Sequence, residues 1–149
     1  MSSCQSSAFS CQQNEELEIM KKEAKNWLDM AEYDLATAKQ MLKTSRYVYV
    51  IFMCHLAIEK TLKAIVCEET DKVPPKTHDL IYLANLGKIK LSSNLLDFVG
   101  IINNAGIVTR YPEDLAELIH SYPEEIAKQY LDRTLEVVEC IKQGPKLKK

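Results

Sequence analysis

The chain has 149 residues, a formal net charge of −2, and 46% hydrophobic and 27% charged residues. This length fits one domain with a substantial core, and only four glycines and five prolines argue against a turn-rich all-β fold. The small net charge gives no overall attraction to nucleic acid, so any such binding has to rest on a local basic patch.

The five cysteines favour a reducing compartment. They include no C-x-x-C pair, which argues against a zinc module, and Cys54 and Cys67 fall in an apolar segment where buried free thiols are common. Because free thiols persist in reducing surroundings, we predict a cytoplasmic protein. No apolar run approaches the length that a membrane-spanning helix needs.

The two ends of the chain differ in composition from the part between them. Residues 1–13 are polar and lack the basic and apolar regions of a secretory signal. We predict a disordered leader at residues 1–13, a helical bundle over residues 14–144 and a basic tail at residues 145–149.

Two long helices are predicted in the first half. Apolar residues at steps of three and four follow one face of residues 14–43, with Asn14 as the N-cap. The same spacing continues from Ser45 to Glu69, where Ser45 is the cap candidate. This second segment is the longest apolar-rich one without Gly or Pro, so we predict that it forms the centre of the fold.

Shorter helices are predicted next. Thr77 is a good N-cap for a helix that ends at Gly87. Ser92 or Ser93 caps a further helix that runs toward Gly106.

The last third contains a break and a final long helix. Residues 107–112 are predicted to form a kinked, non-helical segment, in which Tyr111 is extended because a residue before proline avoids helical angles. Residues 113–120 form one or two helical turns, and Ser121 with Glu124 makes a capping box for a helix that stops at Gly144. Together the segments predict an all-α fold, an antiparallel up-and-down bundle of three long and two shorter helices.

A polar cluster lies beside the apolar face of the central helix. His55, Glu59 and Lys63 are four residues apart and therefore share one flank, with Lys60 next to Glu59. An ordinary solvated flank with a weak Glu59–Lys63 pair is one interpretation. A His beside an apolar face usually has a hydrogen-bonding reason to be there, so the flank is also a candidate binding surface.

Three further residues are candidates. Arg110, in the predicted non-helical segment, is either a surface charge or a two-pronged donor to a phosphate. Tyr111 either packs against other side chains or stacks on a base. His78, at a helix start, either forms a structural hydrogen bond with the backbone or a carboxylate, or belongs to the binding site. Binding through the basic residues requires Arg110, Lys60 and Lys63 to face one cleft.

Other chemistries lack their motifs. A di-metal carboxylate site needs two Glu-x-x-His pairs, and only Glu117 with His120 supplies one. No Walker loop, dinucleotide fingerprint or nucleophile elbow is present. No metal or cofactor is predicted.

Four sequence elements occur in a recognisable order. They are Trp27 followed by Asp34-Leu35, the stretch HLAIEKTLKA at residues 55–64, Thr77-His78-Asp79-Leu80, and Arg110-Tyr111-Pro112. In this order they resemble the HEPN (higher eukaryote and prokaryote nucleotide-binding) domain family over roughly residues 17–141. The HLAIEKTLKA stretch is the most specific part.

The resemblance implies a compact helical bundle that pairs as a two-fold dimer. It also implies, as partner, a minimal nucleotidyltransferase in a toxin–antitoxin type system. Many HEPN toxins are metal-independent ribonucleases whose motif is an Arg followed, four to six residues later, by a His at the dimer cleft. Arg110 matches this Arg, but no His follows at that distance, and His120 comes ten positions later.

We therefore predict a non-catalytic homodimer that binds nucleotide or RNA phosphate. One alternative is an atypical ribonuclease that uses His55 or His78 beside Arg110, or His120 from the second copy. A purely structural dimerisation module is another. The predicted binding residues are Arg110, Tyr111, His55, Glu59, Lys60, Lys63 and His78.

Overall fold

Six helices and no strand make up the part of the chain that the computed structural model describes, residues 3–144. Side chains are described from residue 8 onward, except those of residues 9, 17, 19 and 20. The predicted all-α helical fold is confirmed, and the predicted basic tail at residues 145–149 lies outside the described residues. The helices are α1 (Ser3–Lys43), α2 (Tyr47–Thr70), α3 (Leu80–Leu86), α4 (Ser93–Arg110), α5 (Leu115–Ser121) and α6 (Glu124–Gln143).

Helix α2 is the centre of the bundle, as the sequence predicts. It contacts each of the other five helices. It has apolar residues on most of its circumference, and Ile51, Ile58 and Leu62 are fully buried. Since burying one such side chain contributes roughly 1.5–3 kcal/mol, α2 alone accounts for a large part of the core.

The junction between α1 and α2 differs from the prediction. Ser45 is not the N-cap of α2, because it adopts a left-handed conformation with φ of 64° that ends α1. Arg46 takes the cap position without a side-chain hydrogen bond. Helix α1 also begins at Ser3 rather than at Asn14. Residues 3–13, where the sequence predicts a leader, are helical here and include no Gly or Pro to stop the helix.

The cap of α3 is Asp79, two residues after the predicted Thr77. The Asp79 carboxylate accepts hydrogen bonds from the backbone N–H groups of Ile81 and Tyr82, while the Thr77 hydroxyl accepts one from Asp79. Both residues are good caps, and the carboxylate reaches two orphan donors instead of one. The predicted helix end at Gly87 is confirmed.

Helix α4 has the predicted cap, Ser92, whose hydroxyl accepts from the backbone of Leu95. It does not end near Gly106 but continues to Arg110, so the prediction that Arg110 is non-helical is wrong. The reason is local. Pro112 forces only the preceding residue, Tyr111, out of the helix. With α4 at this length, the described bundle has four long and two short helices.

The predicted capping box before α6 does not form. Ser121 is the last residue of α5, and its hydroxyl donates to the backbone carbonyl of Glu117 instead. Helix α6 starts after Pro123 without a side-chain cap and stops at Gly144, as predicted.

Some large apolar side chains remain in solvent on α4. Ile101, Ile107 and Val108 are exposed, and we call them the exposed apolar face. Within residues 3–144, no helix is long and apolar enough to cross a membrane.

Candidate functional site

Glu59 is a buried carboxylate surrounded by basic groups from three segments. Its side chain is 5% exposed. One oxygen, Oε1, lies 2.7 Å from Nδ1 of His78 and 3.7 Å from Nη2 of Arg110, and Oε2 lies 3.5 Å from Nζ of Lys63. The carboxylate therefore ties α2 to the loop before α3 and to the end of α4.

The two lysines of the cluster are used inside the fold. Lys60 forms an ion pair with Asp34 of α1, with 2.6 Å between Nζ and Oδ2, although the pair is not an aligned hydrogen bond. The Lys63 ammonium lies 5.2 Å from the ring centre of Trp27, a cation–π distance. Both lysines face α1, so Arg110, Lys60 and Lys63 do not face one cleft.

His55 is a core residue rather than a surface group. It is 1% exposed, and its ring lies against Gly106 of α4, where an added Cβ would fall 2.6 Å from the ring Cγ. Burial lowers its pKa to about 4; Glu59 opposes this shift, and Arg110 and His78 add to it. The His78 backbone opposes the decrease in the pKa of His55, although neither ring nitrogen makes a hydrogen bond of good geometry within the described residues.

Arg110 forms part of a pocket wall. Its side chain is 15% exposed, and its Cζ lies 5.3 Å from the ring centre of Phe52. Its Nε is buried and has no acceptor among the described residues. A buried guanidinium N–H without an acceptor is costly, so a ligand that supplies an acceptor here gains affinity.

The cavity beside Arg110 has a volume of about 570 Å³, within the usual range for small-molecule sites. We call it the Arg110 pocket. It lies between the start of α2, the end of α4 and α5. Five aromatic residues and a second arginine, Arg46, line it together with Arg110; the aromatic residues are Tyr47, Tyr49, Phe52, Tyr111 and Tyr122.

Sequence reasoning missed most of this lining. Arg46 and the aromatic residues after it form the segment RYVYVIF at residues 46–52. An Arg followed by alternating aromatic residues is a signal of stacking surfaces. From the sequence, only Tyr47 and Ile51 of this segment are assigned to the core, and the segment is taken as the start of the central helix.

The remaining predicted residues lie in different places. Tyr111 is 80% exposed at the edge of the Arg110 pocket. The His78 side chain is 65% exposed, and its Nδ1 is held by Glu59. His120 is exposed on α5 and is not part of the Arg110 pocket.

Comparison with protein families gives a match to the HEPN domain over residues 24–144. The chain belongs to the HEPN domain family. A search of curated proteins gives no significant match.

Two solved structures share the fold of this chain. TT1696 from Thermus thermophilus superposes with a TM-score of 0.70 at 21% identity, covering 81% of this chain and 97% of its own. ST0689, an archaeal HEPN homologue, gives a TM-score of 0.66 at 17% identity, covering 80% of this chain and 95% of its own. At these identities the likeness establishes the fold alone.

In this HEPN chain the residues that carry the resemblance form two connected groups, an interior group around Glu59 and the lining of the Arg110 pocket. Glu59, His55 and Lys63 hold helices together in the interior. Arg110 touches both groups, since it faces Glu59 on one side and lines the pocket on the other. Any anion bound in the pocket therefore competes with Glu59 for the same guanidinium.

Proposed function

We propose that this HEPN protein is a non-catalytic homodimer that binds a nucleotide or an RNA phosphate in the Arg110 pocket. The observation that carries the proposal is the buried Nε of Arg110, which has no acceptor among the described residues and lies beside an aromatic pocket. Lys60 and Lys63 drop out of the proposed contacts because both are paired internally.

The pocket offers two kinds of recognition. A phosphate accepts charge-assisted hydrogen bonds from Arg110, each worth about 1.5–3 kcal/mol. A base stacks on Tyr47, Tyr49 or Tyr111, and such stacking contributes roughly 1–3 kcal/mol per base.

The exposed apolar face supports the homodimer. Ile101, Ile107 and Val108 all lie on α4, and burying them against a second copy removes them from water. Pairing with a minimal nucleotidyltransferase in a toxin–antitoxin type system rests on the family resemblance. A cytoplasmic location is supported by the free thiols, among them the buried Cys54 and Cys67.

Calorimetric titration with nucleotides and RNA tests the binding proposal. We expect wild type to bind, and Arg110→Ala to lose at least about tenfold in affinity because it removes a buried donor of the pocket that has no acceptor among the described residues. Lys128→Ala, which removes an exposed positive charge on α6, is the matched control and leaves binding unchanged. No heat with any nucleotide or RNA leaves only the structural dimer.

A second candidate, an atypical metal-independent ribonuclease, is favoured by one contact. Glu59 holds Nδ1 of His78 at 2.7 Å, and the largely exposed ring leaves its other nitrogen open to solvent. A carboxylate that orients a His in this way is a common acid–base arrangement. His55 cannot take this role from its buried position.

Incubation with RNA in the presence of a chelator tests this candidate. If it is right, wild type cleaves and His78→Gln loses activity by about 100-fold, because general acid–base catalysis contributes at least that much. His120→Gln tests the His that the second copy would supply, and Lys128→Ala, at an exposed position on α6, serves as the control. Identical RNA ladders from wild type, His78→Gln and Arg110→Ala end the ribonuclease idea.

A further inference from the structure

The Glu59 carboxylate has one short contact and two long ones. Its Oε1 lies 2.7 Å from Nδ1 of His78 and 3.7 Å from Nη2 of Arg110, and its Oε2 lies 3.5 Å from Nζ of Lys63. The first distance is typical of a strong hydrogen bond to a charged acceptor, whereas 3.7 Å is too long for a hydrogen bond. His78 therefore fixes the position of the carboxylate, and Arg110 is attracted to Glu59 without being bonded to it.

His78 makes this contact from a fixed segment outside the Arg110 pocket, whose lining does not include it. The next residue, Asp79, caps α3 and also accepts a hydrogen bond from Nδ2 of Asn103 on α4. The His78 side chain is 65% exposed and that of Glu59 is 5% exposed. Of the two partners, His78 is thus the one that exchanges protons with solvent.

Without the His78 contact, Glu59 has a reason to move toward Arg110. A buried carboxylate that loses a hydrogen-bond donor is destabilised, and Arg110 and Lys63 are the donors that remain beside it. Closing the gap to Arg110 forms a charge-assisted pair. That pair neutralises the guanidinium on which the proposed phosphate contact depends.

We infer that His78 is a positioning residue that keeps Arg110 available to the ligand by holding Glu59 away from it, so that protonation of His78 strengthens ligand binding. The inference rests on the proposed function and adds a regulation of the same pocket. A histidine changes its charge between about pH 5 and pH 8, and its charged form binds a carboxylate more strongly than its neutral form. Lower pH therefore draws Glu59 toward His78 and releases Arg110.

The other described groups around His78 do not change charge in the same range. On α2 the neighbour besides Glu59 is His55, whose pKa is lowered to about 4 by burial, so it stays uncharged above about pH 6. On α4 the neighbour is Arg110, which keeps its charge at any pH that the protein withstands. Asp79, on the same segment, accepts hydrogen bonds from the backbone N–H groups of α3. A change in ligand affinity between about pH 8 and pH 6 is therefore assigned to His78.

Calorimetry on the full-length protein tests the inference. The probes are AMP, CMP, GMP, UMP and a ten-nucleotide single-stranded RNA, and the probe that wild type binds most tightly is used with every variant. His78→Ala removes the bond to Glu59, and we expect it to bind that probe about tenfold more weakly at about pH 8. In the Glu59→Gln background the same substitution should have no effect, because an amide carries no charge to neutralise Arg110.

His78→Asn is the conservative variant, since its amide N–H group lies where Nδ1 of the histidine lies but does not titrate. We expect it to bind like wild type at about pH 8 and to lack the gain of at least about threefold that wild type shows at about pH 6. The ratio of the two dissociation constants removes the titration of the probe, which is common to both proteins. This comparison does not depend on how well Glu59→Gln folds.

His120→Ala, which removes an exposed histidine outside the pocket, is the matched control and should bind like wild type at both pH values. Wild-type affinity in His78→Ala overturns the inference and leaves the proposed function standing. Equal losses from His78→Ala with and without Glu59→Gln also overturn it, because His78 then does not act through Glu59. If wild type binds none of the five probes, the proposed function itself fails.

Discussion

His55 is a titratable side chain that the fold keeps uncharged in its core. Its pKa is lowered to about 4 by burial, whereas in an unfolded chain it is near the ordinary value of 6.5. Between these two values the unfolded chain binds a proton that the folded protein does not, so acid favours unfolding. Stability from this residue is complete above pH 6.5 and is lost as the pH falls toward 4.

We expect the free energy of unfolding to fall by about 3 kcal/mol across this range on account of His55 alone. Urea unfolding of wild type and His55→Leu at about pH 7 and about pH 4.5 measures it. The variant keeps the acid sensitivity of its carboxylates but lacks the His55 contribution, so its decrease is smaller. His120→Gln, at an exposed position, should show the same decrease in the free energy of unfolding as wild type. Equal decreases in wild type and His55→Leu would refute the prediction.

The role of each polar residue was only partly predictable from sequence. Steps of four put His55, Glu59 and Lys63 on one flank, and the structure has them close together. Sequence spacing does not say what packs on that flank. Because lysine is usually exposed, the sequence predicted that Lys60 could bind a ligand. In the structure Lys60 is instead paired with Asp34 of α1.

At the scale of the elements, α4 packs close to α2 because one residue lacks a side chain. An added Cβ at Gly106 would lie 2.7 Å from Nε2 of His55, a contact that requires the ring or α4 to move. At Gly100, on the same helix, an added Cβ would meet nothing within 4 Å. Alanine substitutions at these two glycines therefore distinguish the effect of packing from the effect of helix propensity.

We expect Gly106→Ala to destabilise the protein by roughly 1–3 kcal/mol, the usual cost of overpacking a core. Gly100→Ala should instead stabilise it by about 0.5–1 kcal/mol, because Ala favours the helix and meets no obstacle. Urea unfolding of both variants at neutral pH provides the comparison. Changes of the same sign in the two variants would contradict this account of the contact between α4 and α2.

Helix positions were predicted better than helix ends. Periodic apolar spacing identified α1, α2, α4 and α6 because each buries one continuous face. The position of a helix end depends on which of two neighbouring residues becomes the cap, as with Thr77 and Asp79. It also depends on how many residues before a proline are forced out of the helix. The Arg110 pocket could not be predicted, since it forms where three helices meet and Arg46 and Tyr122 come together only in the fold.

At the scale of the whole molecule, the exposed apolar face is the strongest structural argument for a second copy. We expect wild type to sediment as a dimer and Val108→Glu to shift toward monomer, because a charge buried in an interface without a partner is costly. Tyr33→Glu, at an exposed position on α1, is the control and should remain dimeric. A monomeric wild type at micromolar concentration would remove the homodimer from the proposal.

The position of Lys63 over Trp27 has a practical consequence. Trp27 is the only tryptophan of the chain, and the ammonium above its ring is also paired with Glu59. A ligand that draws Arg110 away from Glu59 changes the electric field at that ammonium and so at the indole. We therefore expect the wavelength of tryptophan fluorescence to change when a ligand fills the Arg110 pocket, which would report binding without any added dye.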